Sequence, residues 1–383
     1  MSVLDDDLLG DVRGRLGVQD VDDAAVGAAL AASGRVLGSD ALRELTRAAR
    51  AELAGAGPLQ PLLELPGVTD VLVNGPREVW LDRGSGLERA GLDLGTPSAV
   101  RALAVRLAAL AGQRLDDAAP VCDGRLPDGT RLHAVVEPVV PAGAAVSLRV
   151  LRQSTLGLDA LVAGGAVPGA WEGLLRGLVA RRANALISGG TGTGKTTLLA
   201  ALLGLVPHDE RLVTVEEARE LAPAHPHVVP LVTRRANVEG AGAVGLTELV
   251  RAALRMRPDR IVVGECRGAE VREVLLAMNT GHDGGLATLH ANAVEHVPAR
   301  LEALAALAGM PRDAVAAQAV AAVDVVLHVR RERGRRFVAA VGVVDREQDG
   351  FVVNAAARWD GASARPIVED ERAWEQVTGR WEA

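Results

Sequence analysis

Short apolar runs, each ending in a glycine, a carboxylate or a histidine, organise the second half of the chain. Ala185–Ser188, Arg211–Val215, Arg260–Val263 and Gly285–Leu289 read as buried strands, and Thr197–Leu203 after the first of them as a helix. Strands alternating with helices from Trp171 onward predict a parallel α/β sheet with its loaded loops at the strands' carboxyl ends. The first half is patterned differently. DVLVNG (Asp70–Gly75), EVWLD (Glu78–Asp82) and GLERA alternate with period two between Gly, Asn and Pro turns, which predicts a small antiparallel meander. Pro97 opens a helix with Val100, Leu103, Leu107 and Leu110 at helical spacing, closed by Gly112. A second hairpin turns at LPDG (Leu126–Gly129) between VCDGR and RLHAVVEPV, and AVSLRVL comes after it. Further upstream, Asp40 is placed to cap a helix striped with Leu42, Leu45, Ala49 and Leu53 and stopped by Gly55, Gly57 and Pro58.

This pattern divides the chain. Residues 1–56 form a helical leader, acidic at Asp5, Asp6, Asp7, Asp20, Asp22 and Asp23, and residues 57–152 an α+β domain. Residues 153–170 read as a linker, 171–330 as an α/β domain, and 331–383 as a short β segment and tail without a readable motif. A length of 383 residues suits two or three domains. A net charge of −7 argues against direct nucleic-acid binding. Two cysteines, Cys122 and Cys266, make no disulfide framework and fit a reducing cytosol. With no signal peptide and no stretch able to span a bilayer, the expectation is a cytoplasmic chain whose membrane contact is peripheral.

The strongest chemical signal is ISGGTGTGKTTLL. Gly189 and Gly194-Lys195-Thr196 satisfy G-x-x-x-x-G-K-[ST], set between a strand and a helix as that motif requires. Gly189, Gly190, Gly192 and Gly194 let backbone come close to phosphate oxygens, with Thr191, Thr193 and Thr197 filling out the loop and the first helical turn. Lys195 is placed for the β- and γ-phosphates and Thr196 for Mg²⁺, with ATP as the ligand. Glu216-Glu217 ends the next strand and could hold Mg²⁺ through water or orient the attacking water; a capping or surface pair is the plainer alternative. RPDRIVVGECRG delivers Glu265 at the end of an apolar strand, where it would activate or orient water; Cys266 reads as buried filler. His282 and His290, in TGHDGGLATLHAN, lack zinc-ligand spacing but could donate hydrogen bonds near a γ-phosphate. Arg125, Arg131, Arg149 and Arg152 crowd the second hairpin, and Arg131 and Arg149 are candidate arginine fingers.

The strings VCDGRLPDGTRLHAVVEP, GGTGTGKTTLL, TVEEARELAPAHPHVVPLVTR, ALRMRPDRIVVGECRGAE and MNTGHDGGLATLHAN occur in this order, and over roughly residues 57–330 the chain resembles the type II/type IV secretion ATPases, most of all the CpaF/TadA branch that assembles tight-adherence (Flp) pili. The resemblance implies a PAS-like N-terminal domain joined to a RecA-like motor, assembled as a homo-hexamer that binds ATP and Mg²⁺ between domains and drives inner-membrane platform proteins in pilus assembly or protein secretion. A conjugation-type DNA-transfer ATPase, which shares the same boxes, and a nucleotide-dependent scaffold with slow hydrolysis are the alternatives. It implies a Walker A box at Gly189–Thr196, an Asp box at Glu216-Glu217, Walker B at Glu265 and a His box at His282 and His290. It matches Arg131 and Arg149 to arginines of the N-terminal strands and Arg234 and Arg267 to arginines of the motor. The Asp box departs from the family's Glu-Asp, and Cys266 takes the place of the usual aliphatic residue after the Walker B glutamate.

Overall fold

The computed structural model describes residues 6–16, 21–33, 38–84, 86–141, 143–150, 156–234, 236, 241–348 and 350–382. Asp5, Asp20, Arg152 and the start of the expected linker lie outside these. The chain separates into two compact units, Met1–Arg152 and Gln153–Ala383.

In the first unit the leader forms helices α1 (Asp6–Leu16), α2 (Asp23–Ala31) and α3 (Ser39–Ala54), with the short α4 (Gln60–Leu63) after them. Leu8, Val12, Val26, Leu30, Leu45 and Ala49 make a small core of their own. The glycine stop after α3 is tied down from elsewhere, because Arg106 Nη1 donates to the carbonyls of Glu52 and Gly55 at 2.7 and 3.0 Å. Strands β1 (Asp70–Val73), β2 (Val79–Asp82) and β3 (Leu87–Ala90) form the expected meander. Helix α5 (Pro97–Leu110) is opened by Thr96, whose hydroxyl accepts from the Ala99 N–H at 3.2 Å. Strands β4 (Val121–Arg125), β5 (Arg131–Val136) and β6 (Ala144–Arg149) complete an antiparallel sheet in the order β3-β2-β1-β6-β5-β4. Its core gathers Val71, Val73, Leu103, Leu107, Leu132 and Leu148.

The second unit starts with α6 (Leu158–Ala163) and α7 (Glu172–Ala180). Leu158, Leu161 and Val167 are buried in this unit's core, so the stretch from 156 to 170 is folded structure rather than a tether: its Leu/Val spacing supplies an apolar face. Then come β7 (Ala185–Gly189), α8 (Lys195–Leu203), β8 (Leu212–Glu216), β9 (Val228–Val232), α9 (Leu246–Ala253), β10 (Arg260–Cys266), α10 (Val271–Asn279) and β11 (Leu286–Leu289). Helices α11 (Val297–Leu307) and α12 (Arg312–Ala322) come next, with β12 (Val325–Glu332), β13 (Arg335–Glu347), β14 (Gly350–Arg358), β15 (Ile367–Val368) and α13 (Glu371–Trp381). The sheet order is β15-β14-β13-β12-β7-β11-β10-β8-β9, parallel from β12 through β9 and antiparallel beyond. A boundary at 330 therefore falls inside β12. Strands β13, β14 and β15 extend the same sheet, because Phe337, Val338, Val341 and Trp359 bury against its core. The architecture is α/β, and β7 lies mid-sheet, buried along its whole length as a parallel strand covered on both faces.

Candidate functional site

The phosphate loop connects the carboxyl end of β7 to α8. Three glycines take left-handed backbone, Gly189 (φ 154°), Gly192 (φ 69°) and Gly194 (φ 100°). A Cβ at Gly189 would stand 2.4 Å from the Val329 carbonyl oxygen, so the strand turns into the loop only because no side chain is there. Gly194 caps α8 without a side-chain bond, which leaves the first-turn N–H groups for an anion. The Thr193 hydroxyl donates to Gly190 O at 2.9 Å and stiffens the loop from inside; Thr191 is exposed, and Thr196 and Thr197 are half-buried in the first turn of α8. The glycine cradle, the bare helix N-terminus and the hard hydroxyl of Thr196 fit a polyphosphate with Mg²⁺.

From Lys195 a chain of contacts crosses the strand ends. Lys195 Nζ donates to Gly189 O at 3.1 Å and Gly190 O at 2.8 Å, and lies 3.4 Å from His290 Nδ1. His290 Nε2 is 2.6 Å from Glu265 Oε1. Arg267 reaches the other carboxylate oxygen through Nη2 at 2.8 Å, and its Nη1 donates to Glu217 Oε2 at 2.8 Å. Burial raises the Glu265 pKa, but Arg267, His290 and Lys195 outweigh it, and the carboxyl is held below its ordinary value. Burial and the neighbouring Lys195 lower that of His290, so the ring is neutral at pH 7. A neutral ring fits one tautomer here, with Nε2–H toward Glu265 and Nδ1 accepting from Lys195. Burial also lowers the Lys195 pKa, opposed by Glu265.

Strand geometry explains why these groups meet. In the parallel register Leu289 stands beside Ser188, and Cys266 beside Leu289, so the residues just past each strand share one edge of the sheet. Behind them Ser188 Oγ lies 2.9 Å from Nδ1 of His328 on β12, which is 2% exposed. Burial pushes His328 down to about 4; it stays neutral and bonds the backbone of Asn292, two residues past His290.

Glu216 and His282 stand outside this chain of contacts. Glu216 is buried, and its Oε1 accepts the N–H groups of Glu220 and Leu221, each at 3.0 Å. It organises the loop after β8 as the buried last residue of that strand, whereas the next residue, Glu217, is exposed past the strand end and reaches Arg267. A Cβ at Gly264 would meet Glu216 Cγ at 2.7 Å, so the glycine before Glu265 makes room for Glu216. His282 lines a small cavity with Ile261, Val263, Met278 and Gly285 at the amino ends of β10 and β11. The four residues of β11 span about 13 Å at ~3.3 Å each, so His282 lies at the sheet edge opposite the phosphate loop and is not brought to it. Arg131 and Arg149 stand opposite each other on β5 and β6 in the first unit, and Arg149 Nε donates to Asp70 Oδ1 at 2.9 Å. Arg234 bridges to Val244.

Sequence reasoning missed two groups. One is the Ser188–His328 pair. The other is the arginine-rich turn RRERGRR (Arg330–Arg336), where Arg336 Nε donates to Gly192 O at 2.8 Å. The run itself was a legible signal, since five arginines in seven residues directly succeed an apolar strand.

Residues 52–358 match the family model for type II/IV secretion system protein. The chain is 54% identical over 324 residues to a putative conjugal transfer protein of Mycobacterium tuberculosis, covering 83% of this chain and 92% of that one. It is 34% identical over 306 residues to a type IV secretion system PtlH homolog of Bordetella bronchiseptica, covering 72% and 89%. Its fold is similar to that of the Legionella pneumophila ATPase DotB, with a TM-score of 0.50 and 18% identity over 84% of each chain.

Proposed function

The chain belongs to the type II/IV secretion system protein family and is an ATPase, and on that premise we propose that it is the motor of a pilus-assembly or protein-secretion machine of the CpaF/TadA type. The observation that carries the catalytic part is the continuous contact chain from Lys195 through His290, Glu265 and Arg267 to Glu217 at the mouth of the phosphate loop.

In this reading Gly189–Thr197 hold the phosphates. Lys195 leaves the Gly189 and Gly190 carbonyls for the β- and γ-phosphates. Glu265, ionised, orients the attacking water and takes up its proton. His290 holds Glu265 in place and registers whether Lys195 is engaged. Thr196 and, partly through water, Glu217 would hold Mg²⁺, which neutralises charge on the β- and γ-oxygens when bound. Arg131 and Arg149 complete the site as arginine fingers in a homo-hexamer, with residues 57–152 as its PAS-like domain and the motor domain extended past 330. The ring works at the inner face of the cytoplasmic membrane against platform proteins; among the described residues no helix is long and apolar enough to cross a membrane.

Lys195→Ala is expected to abolish both hydrolysis and tight ATP binding. Glu265→Gln is expected to bind ATP near normally while turnover falls roughly 10²–10⁴-fold. Binding by Glu265→Gln as weak as by Lys195→Ala would remove Glu265 from its role.

A second reading, a motor for DNA transfer, is favoured by the conjugal-transfer name of the Mycobacterium tuberculosis relative. A net charge of −7 disfavours direct contact with DNA. Turnover that rises severalfold on adding duplex or single-stranded DNA, and loses that rise in high salt, would move the assignment to this reading.

A further inference from the structure

Strand β12 runs parallel to β7 with Val329 beside Gly189, the last residue of β7. It then continues past the end of its neighbour through Arg330, Arg331 and Glu332. Arg333 (φ 47°) and Gly334 (φ 80°) reverse the chain in a two-residue turn, and β13 returns with Arg335 and Arg336. This overhanging hairpin lies against the phosphate loop. Arg336 Nε donates to Gly192 O at 2.8 Å. A Cβ on Gly192 would be 3.9 Å from Arg331 Nη1, and one on Gly194 3.6 Å from Arg336 Cδ.

Arg331 and Arg336 are partners in the strand register. That pairing puts both guanidinium groups on one face of the hairpin, beside the glycines of the phosphate loop. Both side chains are exposed, and Arg336 spends one of its five N–H donors on Gly192. Sheet order then says which end of the ligand they face. Lys195, His290 and Glu265 converge on the β11 and β10 side of β7, the γ-phosphate side, whereas the arginines arrive from β12 on its other flank.

We propose that Arg331 and Arg336 are nucleotide-binding residues that grip, from the same chain, the phosphates nearer the nucleoside. The proposal rests on the ATPase reading and adds a second cationic jaw to it. The test is a titration of the full chain with a fluorescent ADP analogue and, in competition, with ADP and ATP.

Arg336→Gln keeps an N–H donor for Gly192 but loses the charge, and Arg331→Ala/Arg336→Gln removes both charges. The double variant is expected to weaken ADP and ATP equally, by about tenfold or more, as for losing charge-assisted hydrogen bonds. Its affinity should also depend less steeply on salt than that of the unaltered chain. Arg336→Lys should recover part of the loss. An unchanged ADP affinity in the double variant, with Lys195→Ala still abolishing binding, would overturn the proposal and leave the ATPase reading standing. Weakening with an unaltered salt dependence would mark a merely structural hairpin and would also overturn it. Failure of the unaltered chain to bind ADP would bring down both.

Discussion

At the scale of single residues, the site depends on protonation states that neighbours impose. Glu265 is held ionised below its ordinary value of 4.5 despite burial, and His290 is kept neutral below its ordinary 6.5. A neutral His290 accepts from Lys195 and keeps its Nε2 beside Glu265; a protonated one can only donate, and repels the ammonium. Turnover is therefore expected to hold through neutral pH and to fall, about tenfold per unit, only as pH drops below the usual imidazole range. The low value of Glu265 keeps that group from producing this limb. A pH profile of kcat checks it, and His290→Gln should be slower with the limb gone. An acid limb at or above 6.5 would mean that the ring is not held as described.

At the scale of elements, chemistry is delivered by strand ends, and side-chain volumes decide which strand end carries what. Gly264 on β10 and Glu216 on β8 occupy one space: the missing Cβ of the first is filled by the second. Gly264→Ala is expected to cost about 1–3 kcal/mol, as overpacking does, and to loosen the loop that Glu216 holds. Removing the intruding Cγ, Gly264→Ala/Glu216→Ala, should cost less than the two single changes summed, so the two changes are non-additive. Urea midpoints of the four variants measure this.

The same pair shows what a sequence can yield. The phosphate loop was legible because its glycines, Lys195 and Thr196 have fixed spacing on one strand–loop–helix. Glu265 and His290 were legible because apolar strands point to them. Glu216 and Glu217 are adjacent letters with the same chemistry, and only the strand's end between them, which leaves the first buried and the second exposed, makes one a loop organiser and the other a partner of Arg267. His282 and His290 share one motif, yet β11 carries them to opposite edges of the sheet. Arg336 escaped notice because its site lies 144 positions away in Gly192, a distance that only sheet order closes.

At the scale of the whole molecule, two units with separate cores are joined by one chain, and the family reading asks copies of that chain to act together. If arginines of residues 57–152 complete the site within a ring, turnover per chain should rise steeply with protein concentration as a roughly sixfold mass forms. Light scattering and ATP turnover on the same samples test this. Full turnover at monomer mass would separate the chain from a ring motor, whatever the state of its phosphate loop.

The central place of β7 also has a consequence for how the protein is made. The strand leaves the ribosome at residues 185–189, but its two flanking strands are β11 at 286–289 and β12 at 325–332. At about 5–20 residues per second, the phosphate loop waits roughly 5–30 s for both neighbours to be synthesised. Until then the nascent chain carries a strand that is apolar but for Ser188 with at least one edge open, and ATP, however abundant, has nothing assembled to bind. The nucleotide can stabilise the finished motor domain but cannot help to begin it.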